Sequence, residues 1–288
     1  MYMNASDIEN KLRHGTATAE DLEKLDELYS DLDTPPSGVS SGGLKEDSKE
    51  DIDKLVATRC MAYYDDVACG DIQYVEPLKV WSDADIKDAI EDPSYAESCA
   101  TQYLWRVIHQ EGNSCASASL CAAIELLFNY YKGGFDTKLN YMTTYNVVTN
   151  YRNGGSSLAK TLALAIEQGM ASEAVWDSKR YRDRIPEEAL EDAKNYRITA
   201  VANITNEQQF RTALACGMPV YFGYAGHAIL ATELLGMKHI RYINSWGSSW
   251  GKTANPHFKG GFGILPFSRW HKRYGAYAIL GVTANAID

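Results

Sequence analysis

Apolar residues in this chain change their period once. Up to about residue 217 they recur at helical spacing, and after Pro219 they form short runs separated by Gly, Asn and Ser. Leu22, Leu25 and Leu28 predict one helix. Cys121, Ile124, Leu127 and Phe128 predict a second that ends at Gly133 and Gly134, and Leu158, Leu162 and Ile166 a third stopped by Gly169. Start signals agree with this: Ser6 with Glu9, Thr18 with Asp21 and Thr205 with Gln208 are capping patterns, and Pro186 fits the first position of a short acidic helix. Gly15 and Gly217 are further stops. Val80–Trp81 and Tyr103–Ile108 read as extended before the change of period. Val220–Phe222, Ala228–Ala231, Ile240–Ile243 and Phe262–Leu265 are strand signals after it.

A helical first part and a β-rich second part predict an α+β protein in two lobes meeting at a cleft. The run from Thr34 to Gly43 is a linker by composition, so a boundary is expected between residues 33 and 50. Residues 1–50 then form a helical hairpin plus linker, with a docking arm, a pro-segment and a packed element all open as roles. Residues 51–100 are an extension or the start of the main domain. Residues 101–288 form that domain, helical to about 200 and β-rich from about 201.

Charge narrows the function classes. The 288-residue chain has a formal net charge of -10, which gives no electrostatic basis for non-specific nucleic-acid binding. The acidic pairs Glu187–Glu188 and Glu191–Asp192 read as a solvated helix face. No secretory leader and no membrane-length apolar run is seen. Six cysteines without a CxxC pair indicate neither a zinc site nor a disulfide framework, so no metal or cofactor is expected and a reducing, intracellular setting is. Cys60, Cys69, Cys99, Cys121 and Cys216 read as small buried hydrophobes.

Cys115 differs from these. It follows Gly112, Asn113 and Ser114 at the start of the predicted helix, where the dipole and unpaired N–H groups favour a thiolate. His227, between Gly226 and Ala228, stands at the start of a predicted strand. Asn244 opens the run Asn244, Ser245, Trp246, Gly247, and an amide oxygen there can fix a histidine's tautomer while Trp246 shields the bond.

The order Gln110, Ser114–Cys115, Gly226–His227–Ala228 and Asn244–Ser245–Trp246–Gly247 resembles the papain family of cysteine peptidases, over roughly residues 103–268. Asn153, Gly154 and Gly155 resemble the family's glycine-rich segment bordering the cleft. The stretches Gly169–Asp177 and Gln208–Pro219 are also similar. The closing run Gly260–Pro266 has the form found in bacterial and viral members. The resemblance implies a papain-like two-lobed fold, with Cys115 as nucleophile on the helical lobe and His227 as base with Asn244 as its orienter on the β lobe. It implies Gln110 as an oxyanion donor beside the Cys115 N–H, and Gly154, Gly155 and Trp246 against a peptide or protein substrate.

The pattern is departed from in places. Gln110 stands one residue closer to the cysteine than usual, leaving Asn113 as an alternative donor. Ala116 replaces an aromatic residue, and Gly112 and Arg152 take the approximate places of a disulfide. Two other readings stay open: a peptidase-like body that binds or scaffolds without turnover, and an amidase or acyl transferase using the same acyl-enzyme.

Overall fold

The computed structural model describes residues 5–29, 35, 43–58, 60–62, 79–134, 137–251, 260–270 and 274–283. Most of the expected linker, and Cys69, His257 and His271, lie outside them. In chain order the elements are α1 (Ala5–Arg13), α2 (Ala19–Tyr29), β1 (Leu44–Lys45), α3 (Lys49–Ala57), β2 (Met61–Ala62), α4 (Asp83–Glu91), α5 (Tyr95–Ser98), α6 (Cys115–Lys132), α7 (Met142–Val148), β3 (Ser156–Ser157) and α8 (Leu158–Glu167). They continue with α9 (Glu187–Ala193), β4 (Ile198–Asn203), α10 (Glu207–Ala215), β5 (Val220–Tyr224), β6 (His227–Leu235), β7 (His239–Ile243), β8 (Phe262–Pro266) and β9 (Ala276–Val282).

Seven strands form one sheet in the order β2-β4-β9-β5-β6-β7-β8, all antiparallel except β2 on β4. Side chains alternate across this sheet with period two. Ala228 and Leu230 of β6, Tyr221 of β5 and Ile279 of β9 enter the core built around α6 and α8. Their neighbours Ile229, Ala231, Phe222 and Ala278 enter a second core with α4 and α10. The sheet is therefore covered on both faces, which explains why all nine residues of β6 are buried.

Helix α6 is buried from Cys115 to Phe128 on every side, so it is a central helix and not an amphipathic one. Gly133, at φ 66°, ends it in the left-handed conformation glycine tolerates. The one acid in its interior, Glu125, is held by the Arg106 guanidinium at 2.6 Å and by the Leu139 N–H at 2.8 Å.

Several sequence expectations shift. Val80–Trp81 forms no strand; the Trp81 N–H donates to Thr212 Oγ1 instead, while Ser82 caps α4 with a full capping box. Tyr103–Ile108 belongs to no strand, and β4 and β9 are additional strands. Asn206 caps α10 in place of Thr205, whose N–H donates to Gln209 Oε1, and Pro186 is the residue just before α9. The Glu9 carboxylate is buried and accepts from Arg241 at 2.6 Å, a partner that no local pattern indicates. Cys216 is exposed and Cys60 half-buried, while Cys99 and Cys121 are buried as expected.

Candidate active site

Two lobes meet where α6 abuts β6. Cys115 is the first residue of α6 and is fully buried. Ser114 before it leaves the helix uncapped and sends its Oγ back to the Glu111 carbonyl at 2.7 Å. Burial pushes the Cys115 thiol up to about 11, against backbone N–H groups of Ala228, Ala116 and Cys115 that favour the thiolate. Ser119 Oγ donates to the Ala228 carbonyl at 2.8 Å and Tyr221 Oη to the Ala116 carbonyl at 3.0 Å, fixing strand against helix.

His227 opens β6 directly after a two-residue turn. Ala225 (φ 49°) and Gly226 (φ 78°) are both left-handed, the geometry that matches strand twist in tight hairpins, and Tyr224 pairs with His227 across it. For Ala225 that conformation costs roughly 1–2 kcal/mol. The ring's Nε2 lies 2.7 Å from Asn244 Oδ1. An amide oxygen only accepts, so Nε2 carries the proton and Nδ1 presents its lone pair. Nδ1 is buried and has no hydrogen-bond partner. Burial lowers His227 to about 4, opposed only by the Asn244 bond, so the resting ring is neutral. Trp246 stacks on the imidazole with centroids 4.6 Å apart, and Trp250 meets Trp246 edge-on at 5.4 Å. Together they keep water from the His227–Asn244 bond.

Gln110 is buried. Its Nε2 donates to the Gly112 carbonyl at 2.9 Å, which leaves one of the two amide N–H bonds for another acceptor. Its Oε1 accepts from Ser245 Oγ at 2.6 Å, and its backbone N–H donates to the Ser245 carbonyl at 2.7 Å. Ser245 is a positioning residue that the sequence pattern includes but does not assign; its place beside Asn244 is the only signal for it. Asn113 Nδ2 points to Asn153 Oδ1 at 3.4 Å.

The glycine strip is already occupied. β1 runs parallel to β3 in the register Leu44 to Ser156 and Lys45 to Ser157. The Ser156 N–H donates to the Gly43 carbonyl at 2.8 Å, and the Leu44 N–H to the Gly226 carbonyl at 3.2 Å. A Cβ at Gly155 would collide with the Gly43 carbonyl, and one at Gly43 would lie 2.6 Å from the Asn113 carbonyl. The chain's own residues 43–45 therefore cross from the Asn113 and Gly155 side to Gly226, next to His227. Asp47 anchors the chain just beyond β1, accepting from the Ala159 N–H at 2.8 Å and Tyr277 Oη at 2.7 Å. Asp51 of α3 accepts from Ser157 Oγ at 2.9 Å. Gly154 has open space around its Cβ position.

Among the described residues no group of three or more His, Cys, Asp or Glu side chains is arranged to hold a metal, and no helix is long and apolar enough to cross a membrane.

No family model matches the chain, and no curated protein matches it by sequence. Solved structures do. Xylellain, a cysteine protease from Xylella fastidiosa, is 17% identical with a TM-score of 0.52, over 61% of this chain and 82% of that one. Digestive procathepsin L 3 of the Tenebrio molitor larval midgut is 12% identical with a TM-score of 0.50, over 97% and 94%. The proform of the ragweed pollen cysteine protease Amb a 11 is 18% identical with a TM-score of 0.50, over 63% of this chain and 64% of that one, less than two thirds of its length. At these identities the likeness speaks to architecture, and the architecture is the papain-like cysteine-protease fold.

Proposed function

We propose that the chain is a cysteine peptidase, hydrolysing peptide bonds through an acyl-enzyme on Cys115. The observation that carries this reading is the buried His227 ring, tied at Nε2 by Asn244 and left with an unpartnered lone pair at Nδ1. A neutral imidazole in that tautomer is a base awaiting a proton, and Cys115 opens the helix that packs against the strand His227 opens.

In this mechanism Nδ1 takes the thiol proton as the sulfur attacks the peptide carbonyl. Burial disfavours each charge by itself, so thiolate and imidazolium form together or not at all. The carbonyl oxygen, now negative, accepts from the Cys115 N–H and the free N–H of Gln110. Removing one such donor typically costs about 10²–10³ in rate. Collapse of the tetrahedral species expels the amine, which leaves with the proton from Nδ1. Water then gives a proton back to Nδ1, adds to the thioester and releases the carboxylic acid and the free thiol. Asn244 accepts from Nε2 throughout and Trp246 excludes water from that bond. The run Gly260–Pro266 supports a place beside bacterial and viral members.

One observation favours a second reading, a latent or non-catalytic body: residues 43–45 take the hydrogen bonds a substrate backbone would use, and Cys115 is wholly covered. Alkylation separates the two. A peptidyl epoxide or iodoacetamide should label Cys115 ahead of the other cysteines near neutral pH, and Cys115→Ala should abolish peptide turnover. Even labelling of all cysteines, or turnover surviving in Cys115→Ala, rejects the peptidase reading.

A further inference from the structure

Beside the glycine strip lies a pocket of about 440 Å³ that the mechanism does not use. One wall is Glu111 and Gly112, from the loop that carries Gln110 and leads to Cys115. Asn153, directly before Gly154, closes a second side. The third is Lys179, Arg180 and Arg182. Four of the chain's 28 Lys and Arg residues fall between positions 179 and 184, in a protein whose acids outnumber them at 38. Within so acidic a molecule a local excess of positive charge at the cleft rim is a selective feature of the surface field.

The basic loop is held in place by its backbone. Asn140 and Asn146, both fully buried, spend their side-chain donors on the carbonyls of Trp176 and Ser178, and of Arg180 and Asp183, at 2.8–3.1 Å. Arg184 packs on Tyr151 with 4.3 Å to the ring centroid, joining this loop to the one that bears Gly154 and Gly155. Lys179 is neutralised by Glu173 at 2.6 Å. Arg180 and Arg182 are exposed and form no salt bridge among the described residues. Two guanidinium groups on a fixed backbone, with Glu111 the acid of the pocket lining, are suited to a carboxylate, which the planar fork can bind through paired hydrogen bonds.

We infer that this pocket receives the aspartate or glutamate side chain of a peptide lying against Gly154 and Gly155, making it a specificity site for acidic substrates. The inference rests on the peptidase reading. A backbone seated on the glycine strip is the chain's own arrangement at Gly43, whose Cβ direction faces the Asn113 carbonyl, one residue after Gly112 of the pocket wall.

The test uses matched peptides with Glu or Gln placed at each position in turn, and the full-length chain. At one position kcat/KM should favour Glu by about tenfold, the size expected of a hydrogen bond between charged groups. That ratio should fall with ionic strength, approach one in the double variant Arg180→Gln, Arg182→Gln, and rise in Glu111→Gln. A ratio near one at every position, or a ratio unmoved in the double variant, overturns the site while leaving the peptidase intact. If no peptide is cleaved, the peptidase reading has failed, and fluorescence anisotropy of the same pairs on Cys115→Ala decides the pocket. About tenfold tighter binding of the Glu peptide, lost in the double variant, supports it, and equal binding rejects it.

Discussion

The α1–α2 hairpin and the segment starting at Gly43 belong to one N-terminal extension, yet they are held by opposite means. The hairpin is part of the β lobe's fabric: Ile8, Leu12 and Leu25 pack with Leu235 and Ile264 in a core of their own. Beneath it Arg241 bonds Glu9 at 2.6 Å and Glu233 at 3.4 Å, and Arg13 bonds Glu233 at 2.6 Å, all four side chains mostly or wholly buried. The segment at Gly43 lies on the glycine strip by a two-residue ladder and the carboxylates Asp47 and Asp51, while Leu44 and, in α3 just beyond, Leu55 enter the main core beside α8. A hairpin with a core and buried ion pairs of its own on the β lobe and a strip-crossing segment anchored through α3 in the main core are different devices, although composition joins them in one block up to residue 50. Only the second lies along the glycine strip where the proposed substrate would.

The strongest way to break this contrast is to attack the hairpin's charges. Arg241→Met leaves buried carboxylates short of a partner and should cost about 3–5 kcal/mol, read as a lowered urea midpoint. A loss under about 1 kcal/mol would mean the hairpin is as detachable as the segment.

Acid should separate the two next. His227 has a folded value near 4 against an ordinary 6.5, so the unfolded chain binds its proton first. Stability from this group is complete above pH 6.5 and drains away as pH falls towards 4, by roughly 3 kcal/mol at most. Lys11, with Thr18, pulls Asp21 in the hairpin down to about 2 from 3.8, so that contribution is present above 3.8 and lost only as pH falls towards 2. Urea midpoints should therefore drop from pH 6.5 to 4 in the native chain and much less in His227→Ala. Equal slopes in both proteins would contradict this assignment.

Leu44→Asp should loosen the segment alone. The expected result is Cys115 alkylation faster by about tenfold, with the hairpin unaffected. An unchanged labelling rate would show that residues 43–45 do not guard the sulfur. Smallest of all, Thr18→Ala removes a capping hydroxyl that accepts from the Asp21 N–H at 3.2 Å and should cost about 1 kcal/mol in a thermal melt.

Much of the candidate site was readable because its sequence signals are local. Cys115 at a helix start and His227 after a turn each carry a signature within a few neighbours, as does Asn244 before Ser245 and Trp246, and the structure brings His227 and Asn244 to 2.7 Å. The helix cap at Thr18 was legible for the same reason. What failed was everything settled at long range. Glu9 fits a capping pattern, but its partner stands 232 residues away. Trp81 has a strand-like neighbourhood, yet Thr212 claims its N–H. β4 and β9 exist because they pair with each other across more than seventy intervening residues, which no local period records. The Gly43 segment is the extreme case, since backbone pairing of a glycine leaves no side-chain trace.

The contact between Gly43 and Gly155 has a consequence for latency and turnover. The resident segment needs the bare backbone at 155, and so would the substrate of the proposed peptidase, so a methyl group there would evict the one and bar the other. Loss of self-occupancy by that route would not yield a more open site. The seat and its guard are coupled through a single missing carbon atom.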